Sequence, residues 1–266
     1  MNTTDAEMRD AMASQLAFLG VSALLFAASA TVTIVWCTSM GAMGGMPMPG
    51  GWTMSMAWMR MPGQTWPAAA ASFVGMWVVM MVAMMLPSLI PMLQRYREAI
   101  GTGDKRLGQL TTLVGIGYFS VWMVFGMVAF PLGVGLAEIE MQQAVVARAV
   151  PIMVGVVVVV AGVLQFSAWK AYHLACCREA PETVRADAAT AWRHGVRLGL
   201  HCGRCSGGLM AILLVIGVMD PRAMAIVTAA ITAERLAPDG ERMARSTGAL
   251  VVGIGMFLIA RAVALG

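Results

Sequence analysis

The residues best suited to chemistry are cysteines and histidines gathered in one stretch of the chain. Four of the five cysteines and all three histidines fall between residues 173 and 205. Thiolate and imidazole are soft to borderline ligands that suit Cu(I) or Zn(II). Two cysteines three residues apart on a helix point the same way and would chelate one ion. The alternative is that the cysteines pack as small apolar side chains. The candidate ligands are His173, Cys176, Cys177, His201, Cys202 and Cys205.

A second group of soft ligands is a methionine-rich segment nearer the N-terminus. Residues 40–61 contain eight methionines among glycines and prolines, and we assign residues 37–66 to a Met-rich loop. Thioether sulfur binds Cu(I) without losing a proton and forms no disulfides. The alternative is a hairpin lying in the lipid headgroups, anchored by Trp52, Trp58 and Trp66. The candidate ligands in this loop are Met54, Met56, Met59 and Met61.

The apolar block that follows the loop carries a further methionine stripe. Met80, Met81, Met84 and Met85 form adjacent ridges on one side of a helix. They are either a soft-metal path that continues from the loop or flexible core packing. Pro87, just after the stripe, predicts a kink and freed backbone carbonyls near that end.

Glu234 is the last residue with a candidate chemical role. It lies near the end of a short apolar block, within a turn of the predicted membrane interface. It would ligate metal, relay protons, or form an ion pair with Arg235 or Arg204. Of these three roles, the ion pair is the favoured interpretation.

These residues must be positioned by helices that cross a membrane. Of the 266 residues, 59% are hydrophobic and 12% are charged, with a mean hydropathy of +0.76. In soluble globular proteins about 45–50% of the residues are apolar and about 25% are charged. This composition excludes a soluble enzyme, a disordered chain and a small disulfide-rich domain. The scattered basic residues exclude nucleic-acid binding.

Seven apolar blocks approach the roughly 20 residues that a membrane helix needs. We therefore predict one all-α integral membrane domain, residues 1–266, with about seven transmembrane helices. The count is six if the short block at 221–236 does not span the bilayer. The blocks are residues 15–36, 67–93, 110–136, 146–169, 198–219, 221–236 and 243–264.

The distribution of basic residues predicts the orientation of the helices. With the N-terminus inside, thirteen of the eighteen Lys and Arg residues fall in inner segments and four in outer segments, while Arg204 lies within a block. This orientation places the Met-rich loop outside and a Cys/His-bearing loop, residues 170–197, in the cytoplasm. It predicts a multi-pass protein of the bacterial inner membrane, with the cysteines on the reducing side.

Several motifs together resemble the predicted metal-binding integral membrane protein family (domain of unknown function 2182). The resemblance covers about residues 70–236 and implies metal binding in the membrane, with no settled activity. Members often carry a further Cys after C-x-x-C, where this chain has Ser206. The motifs are Trp77–Ser88, Gly117-Tyr118, Val121-Trp122, Ala161–Gln165, Lys170, Cys176–Arg178, Trp192, Gly199–Cys205, Leu209-Met210, Gly217–Met219 and Glu234-Arg235.

Three functions are compatible with these features. The first is a non-enzymatic protein that captures, transfers or transports a soft metal, with copper expected and zinc the alternative, between the outer methionines and the inner Cys/His cluster. The second is a non-catalytic subunit or assembly factor of a membrane metalloenzyme. The third is a membrane thiol oxidoreductase, disfavoured because the cysteines face the cytoplasm. The expected partners are the lipid bilayer and a metallochaperone or metalloenzyme subunit, and self-association is left open.

Overall fold

The fold is a bundle of α-helices with one small hairpin. The computed structural model describes residues 3–42, 44–61, 63–101, 106–178 and 185–265; Met43 of the Met-rich segment lies outside them. The helices are α1 Thr3–Ala42, α2 Trp66–Ile100, α3 Leu107–Gln142, α4 Ala144–Leu164, α5 Ala168–Arg178, α6 Ala188–Ile216, α7 Pro221–Leu236 and α8 Gly240–Leu265. The hairpin strands are β1 Met46–Met48 and β2 Trp52–Met54.

Six of these helices are long and apolar enough to cross a membrane, so the prediction of an all-α, multi-pass bundle is confirmed. They are α1, α2, α3, α4, α6 and α8. Helix α7 has 16 residues, a length of about 24 Å at 1.5 Å per residue. That is shorter than the roughly 30 Å hydrocarbon core. The short block predicted at 221–236 is therefore a helix with the predicted bounds that falls outside this set of six.

The segment predicted as one Cys/His-bearing loop is largely helical, which corrects that prediction. The preceding helix α4 ends at Leu164, and α5 then carries His173, Cys176 and Cys177. Residues 179–184 lie outside the described part. Asp187 caps α6 by accepting a hydrogen bond from the Thr190 amide at 2.9 Å, so α6 begins ten residues before the apolar block.

The early start of α6 also moves the C-x-x-C element. Cys202 lies 14 residues into the helix, about 21 Å from its first residue, whereas the predicted block 198–219 places it four residues after the start. The first ten residues bury small side chains such as Ala191 while exposing Arg193. A search for continuous apolar blocks misses this amphipathic start.

The Met-rich segment is a compact hairpin rather than an open loop. Met46 pairs with Met54, and Met48 with Trp52, in the antiparallel register. Gly50 turns the chain with φ +101°, and a side chain there would meet the backbone of Arg148 at 3.2 Å. Residues 37–42 belong to α1 instead.

Helix α2 is the central helix, more buried than the other spans. All four predicted methionines of its stripe, Met80, Met81, Met84 and Met85, are buried. The helix continues through Pro87 to Ile100. The Ser88 hydroxyl donates to the Met85 carbonyl at 3.0 Å, which satisfies a carbonyl close to the proline.

Helices α3 and α6 approach closely because glycines line their contact. A Cβ built on Gly117 would lie 2.7 Å from the Trp192 carbonyl oxygen, and one built on Gly199 would lie 2.9 Å from the Tyr118 carbonyl oxygen. Small residues allow such close packing of membrane helices. This contact brings the Tyr118 side chain against the cysteines of α6.

Candidate metal centre

Three of the predicted cysteines meet in the interior of the bundle. Cys177 of α5 and Cys202 and Cys205 of α6 are all buried. The Cys177 and Cys205 sulfurs are 3.8 Å apart, within reach of one shared ion. The packing of α5 on α6 thus joins two segments that are 28 residues apart in sequence.

Cys202 contacts two further helices. The Tyr118 hydroxyl of α3 donates to its sulfur at 2.9 Å. The Met85 thioether of α2 lies 3.9 Å from the same sulfur. Met85 is therefore the residue of the α2 methionine stripe that contacts a cysteine, and Met81 lies one turn earlier in the same buried core. We name Cys177, Cys202, Cys205 and Met85 the sulfur cluster.

A buried guanidinium lies against the sulfur cluster. Arg235 of α7 donates to the Cys177 sulfur at 3.2 Å and to the Ser88 hydroxyl at 3.0 Å. Its Nε atom is buried without a hydrogen-bond partner. No carboxylate pairs with it among the described residues. A positive charge beside a thiol favours the thiolate, which is the metal-binding form.

Glu234 is paired with a lysine, which corrects the expected arginine partners. Lys170 Nζ lies 2.6 Å from the Glu234 carboxylate, and Gln165 donates to its other oxygen at 2.9 Å. Lys170 also donates to the Cys205 carbonyl at 2.5 Å. Both charged side chains are buried. The carboxylate is therefore held by this ion pair next to the sulfur cluster.

The two predicted histidine ligands form a second pair one helical turn away. His173 Nδ1 and His201 Nδ1 are 3.1 Å apart, and each residue precedes Cys177 or Cys205 by four positions. Burial lowers the pKa of His173, and the positive charge of Arg204 lowers it further. Both effects favour the neutral ring, which is the form that binds a metal.

The remaining predicted ligands lie apart from the sulfur cluster. Cys176 is half-buried beside Cys177. In the hairpin, Met54 is buried in a separate small cluster with Met48, Ala137 and Ala147, whereas Met56, Met59 and Met61 are half-buried. Met85 lies 19 residues beyond the start of α2, or about 28 Å along its axis. The hairpin and the sulfur cluster are thus two separate places.

Within the described ranges, no three His, Cys, Asp or Glu side chains converge to hold one ion together. Two sulfur–sulfur contacts are seen, between Cys177 and Cys205 at 3.8 Å and between Cys202 and Met85 at 3.9 Å. Two or three soft sulfur donors beside a cation suit Cu(I) better than a divalent ion that needs four ligands. The donor chemistry therefore fits Cu(I), with small shifts of side chains needed to close the site.

Sequence reasoning assigned no role to Tyr118 or Lys170, and it gave Arg235 only the role of an ion-pair partner for Glu234. Tyr118, Lys170 and Arg235 stand in the motifs that carry the family resemblance, but their contacts depend on helix packing. Gly117 and Gly199 allow that packing. The repeat of Gly195, Gly199 and Gly203 at every fourth position of α6 is a signal that predicts a close helix contact.

The fold and the site define a multi-pass membrane protein with a buried cysteine–methionine cluster. The chain matches the model of the copper chaperone family PpoB2 over residues 74–258, and it belongs to that copper-related family. The particular family named from the motifs stays a prediction. No curated protein and no solved structure matches the chain. The matched range contains the whole sulfur cluster, whereas the Met-rich hairpin lies outside it.

Proposed function

We propose that the protein binds Cu(I) inside the membrane at its sulfur cluster and delivers it to a partner protein. The observation that carries this proposal is the buried contact of Cys177 with Cys205, next to Cys202 and Met85 and with Arg235 alongside. Membership of a copper chaperone family supports the choice of metal. Copper is the cargo in this proposal, so no catalytic step is needed.

The charges of the cluster favour a monovalent ion. Two thiolates binding one Cu(I) leave a net charge of −1, and the Arg235 guanidinium supplies the balancing positive charge. The alternative metal, Zn(II), takes four ligands in a tetrahedral arrangement. The described cluster offers sulfur pairs instead, in an apolar setting where an uncompensated charge is costly. Cu(I) is therefore the proposed cargo.

The proposed route begins at the outer hairpin. Met54, Met56, Met59 and Met61 would capture Cu(I), and the methionines of α2 would lead to Met85. Release would take place on the opposite, cytoplasmic side, with His173 and His201 as the next donors after the cysteines. This direction assumes the predicted orientation in a bacterial inner membrane. The proposed partner is a metallochaperone or a membrane metalloenzyme subunit.

The test is a Cu(I) titration of the purified protein against a chromophoric chelator under reducing conditions. The double change Cys202→Ser and Cys205→Ser should remove about one ion per chain. Cys37→Ser is the matched control, because Cys37 is also buried but lies near the end of α1. Copper should also protect Cys177, Cys202 and Cys205 from alkylation. Equal copper content in the double variant and in the control would refute the proposal.

The short distance between Cys177 and Cys205 favours one second candidate, a thiol oxidoreductase. Sulfurs 3.8 Å apart need to approach to about 2.05 Å to form a disulfide. In that case a partner disulfide would accept the two electrons and the two thiol protons, the pair would be recovered oxidised from cells, and Cys177→Ser would abolish the oxidised form. Recovery of both thiols reduced, with one copper bound, favours the chaperone instead.

A further inference from the structure

A large apolar cavity lies between α1, α2 and α3, away from the sulfur cluster. Its volume is about 660 Å³, within the range of about 300–1,000 Å³ for pockets that hold small molecules. Val21 and Ile116 line it and are exposed at its rim. The cavity therefore opens on an apolar outer face of the bundle, and an occupant would enter it from the bilayer.

One wall of the cavity carries a buried cation. Arg97 of α2 lines the cavity and is only 6% exposed. Its Nη2 atom donates to the Ser14 hydroxyl at 2.7 Å and to the Ser14 carbonyl at 3.2 Å. Its guanidinium carbon lies 4.8 Å from the centre of the Phe18 ring. The Nε atom is buried and has no hydrogen-bond partner.

This guanidinium is uncompensated in the part of the chain that the structure describes, where no carboxylate forms an ion pair with it. A buried, unpaired charge is costly, and a buried donor without a partner adds to that cost. An anion in the cavity would remove both penalties. Arginine suits phosphate because its planar fork donates two parallel hydrogen bonds.

The apolar wall that leads away from Arg97 has the length of a lipid tail. Leu93, Leu89 and Leu86 line the cavity 4, 8 and 11 residues before Arg97. These steps correspond to about 6, 12 and 17 Å along α2. One leaflet of the hydrocarbon core is about 15 Å deep. A lipid with its headgroup at Arg97 would therefore have its acyl chain in contact with these leucines.

We propose that this cavity binds one anionic phospholipid, whose phosphate pairs with Arg97 and whose acyl chain fills the groove between α1 and α3. Basic pockets between transmembrane helices bind anionic headgroups in this way. The site is independent of the proposed copper function, because its lining residues exclude the whole sulfur cluster.

The test is native mass spectrometry of the full chain released from nanodiscs of equimolar phosphatidylcholine and phosphatidylglycerol. The wild type should retain one phosphatidylglycerol in preference to phosphatidylcholine. Arg97→Gln should lower that preference about ten-fold, the loss expected for one charge-assisted contact. Arg9→Gln is the matched control, since Arg9 is an exposed arginine of α1, and it should behave as the wild type.

A second variant keeps the proposal testable if Arg97→Gln disturbs the docking of α1. Gly115 lines the cavity, and a Cβ added there would meet nothing within 4 Å, so Gly115→Leu would place its side chain in the space. It should abolish retention of the lipid while Arg97 is intact. Unchanged retention in Gly115→Leu, an unchanged preference in Arg97→Gln, or full displacement by oleate would each overturn the proposal.

Discussion

The glycine contact between α3 and α6 can be tested with two neighbouring alanine substitutions. Gly117→Ala places a methyl group 2.7 Å from the Trp192 carbonyl oxygen and 3.1 Å from the Val196 amide nitrogen. Ordinary contact starts at 3.4 Å, so the helices must separate by 3.4 − 2.7 = 0.7 Å. The obstacle is backbone and cannot rotate away. Gly115→Ala is the matched control, because its methyl group meets nothing within 4 Å.

Both substitutions gain about 1 kcal/mol of helix propensity. Only Gly117→Ala incurs the overpacking cost of about 1–3 kcal/mol. The difference in unfolding free energy between the two variants therefore isolates that cost. It is measured by denaturant titration in mixed micelles, followed by circular dichroism.

The same separation should reach the metal centre. Tyr118 adjoins Gly117, and its hydroxyl lies 2.9 Å from the Cys202 sulfur. A shift of about 0.7 Å weakens that hydrogen bond, so Gly117→Ala should also bind Cu(I) less tightly than Gly115→Ala. Equal stability and equal copper affinity of the two variants would refute the role assigned to the glycine contact.

Three further predictions concern other parts of the molecule. Lys170→Met leaves Glu234 buried and unpaired, so it should lower the free energy of unfolding by about 3–5 kcal/mol. Arg245→Met is the control, because it breaks an equally short but exposed ion pair with Glu241, and it should cost at most about 1 kcal/mol. Replacing Met54, Met56, Met59 and Met61 by Leu keeps the apolar volume, so unchanged copper accumulation with normal expression would count against capture by the hairpin. A topology reporter fused after Arg106 should be cytoplasmic and one fused within residues 46–60 external, and the reverse pattern would place the thiols on the oxidising side.

The number, order and type of the long helices follow from apolar content, which a sequence displays directly. The short helix α7 begins at Pro221 and ends at Leu236 as predicted, because Asp220 and Pro221 mark its start and Pro238 follows its end. The predicted start of α6, at residue 198, was ten residues too late. The first turns of α6 bury alanine and glycine against α3, and a search for continuous runs of large apolar residues does not detect them.

The ligand types of the site were predictable, but their partners were not. Cysteine spacing predicts that Cys202 and Cys205 act together, and the chemistry of thiolates suggests a soft metal. The pairing of Glu234 with Lys170 joins residues 64 positions apart, whereas the predicted partners were Arg235 and Arg204. Arg235 instead reaches Cys177 and Ser88. Such choices are made by the packing of helices, which a single sequence does not specify.

The contact of Arg235 with Ser88 has a consequence for how the protein is made. These residues are 147 positions apart, so α2 enters the membrane long before α7 is synthesised. Until α7 docks, the thiols of α5 and α6 lack their guanidinium neighbour, so under the proposed function a half-made chain would bind copper more weakly. On that proposal, tight copper binding would begin only once Arg235 lies beside Cys177. Metal occupancy would thereby report that the chain has been made at least as far as α7, and a shorter chain would compete less strongly for copper.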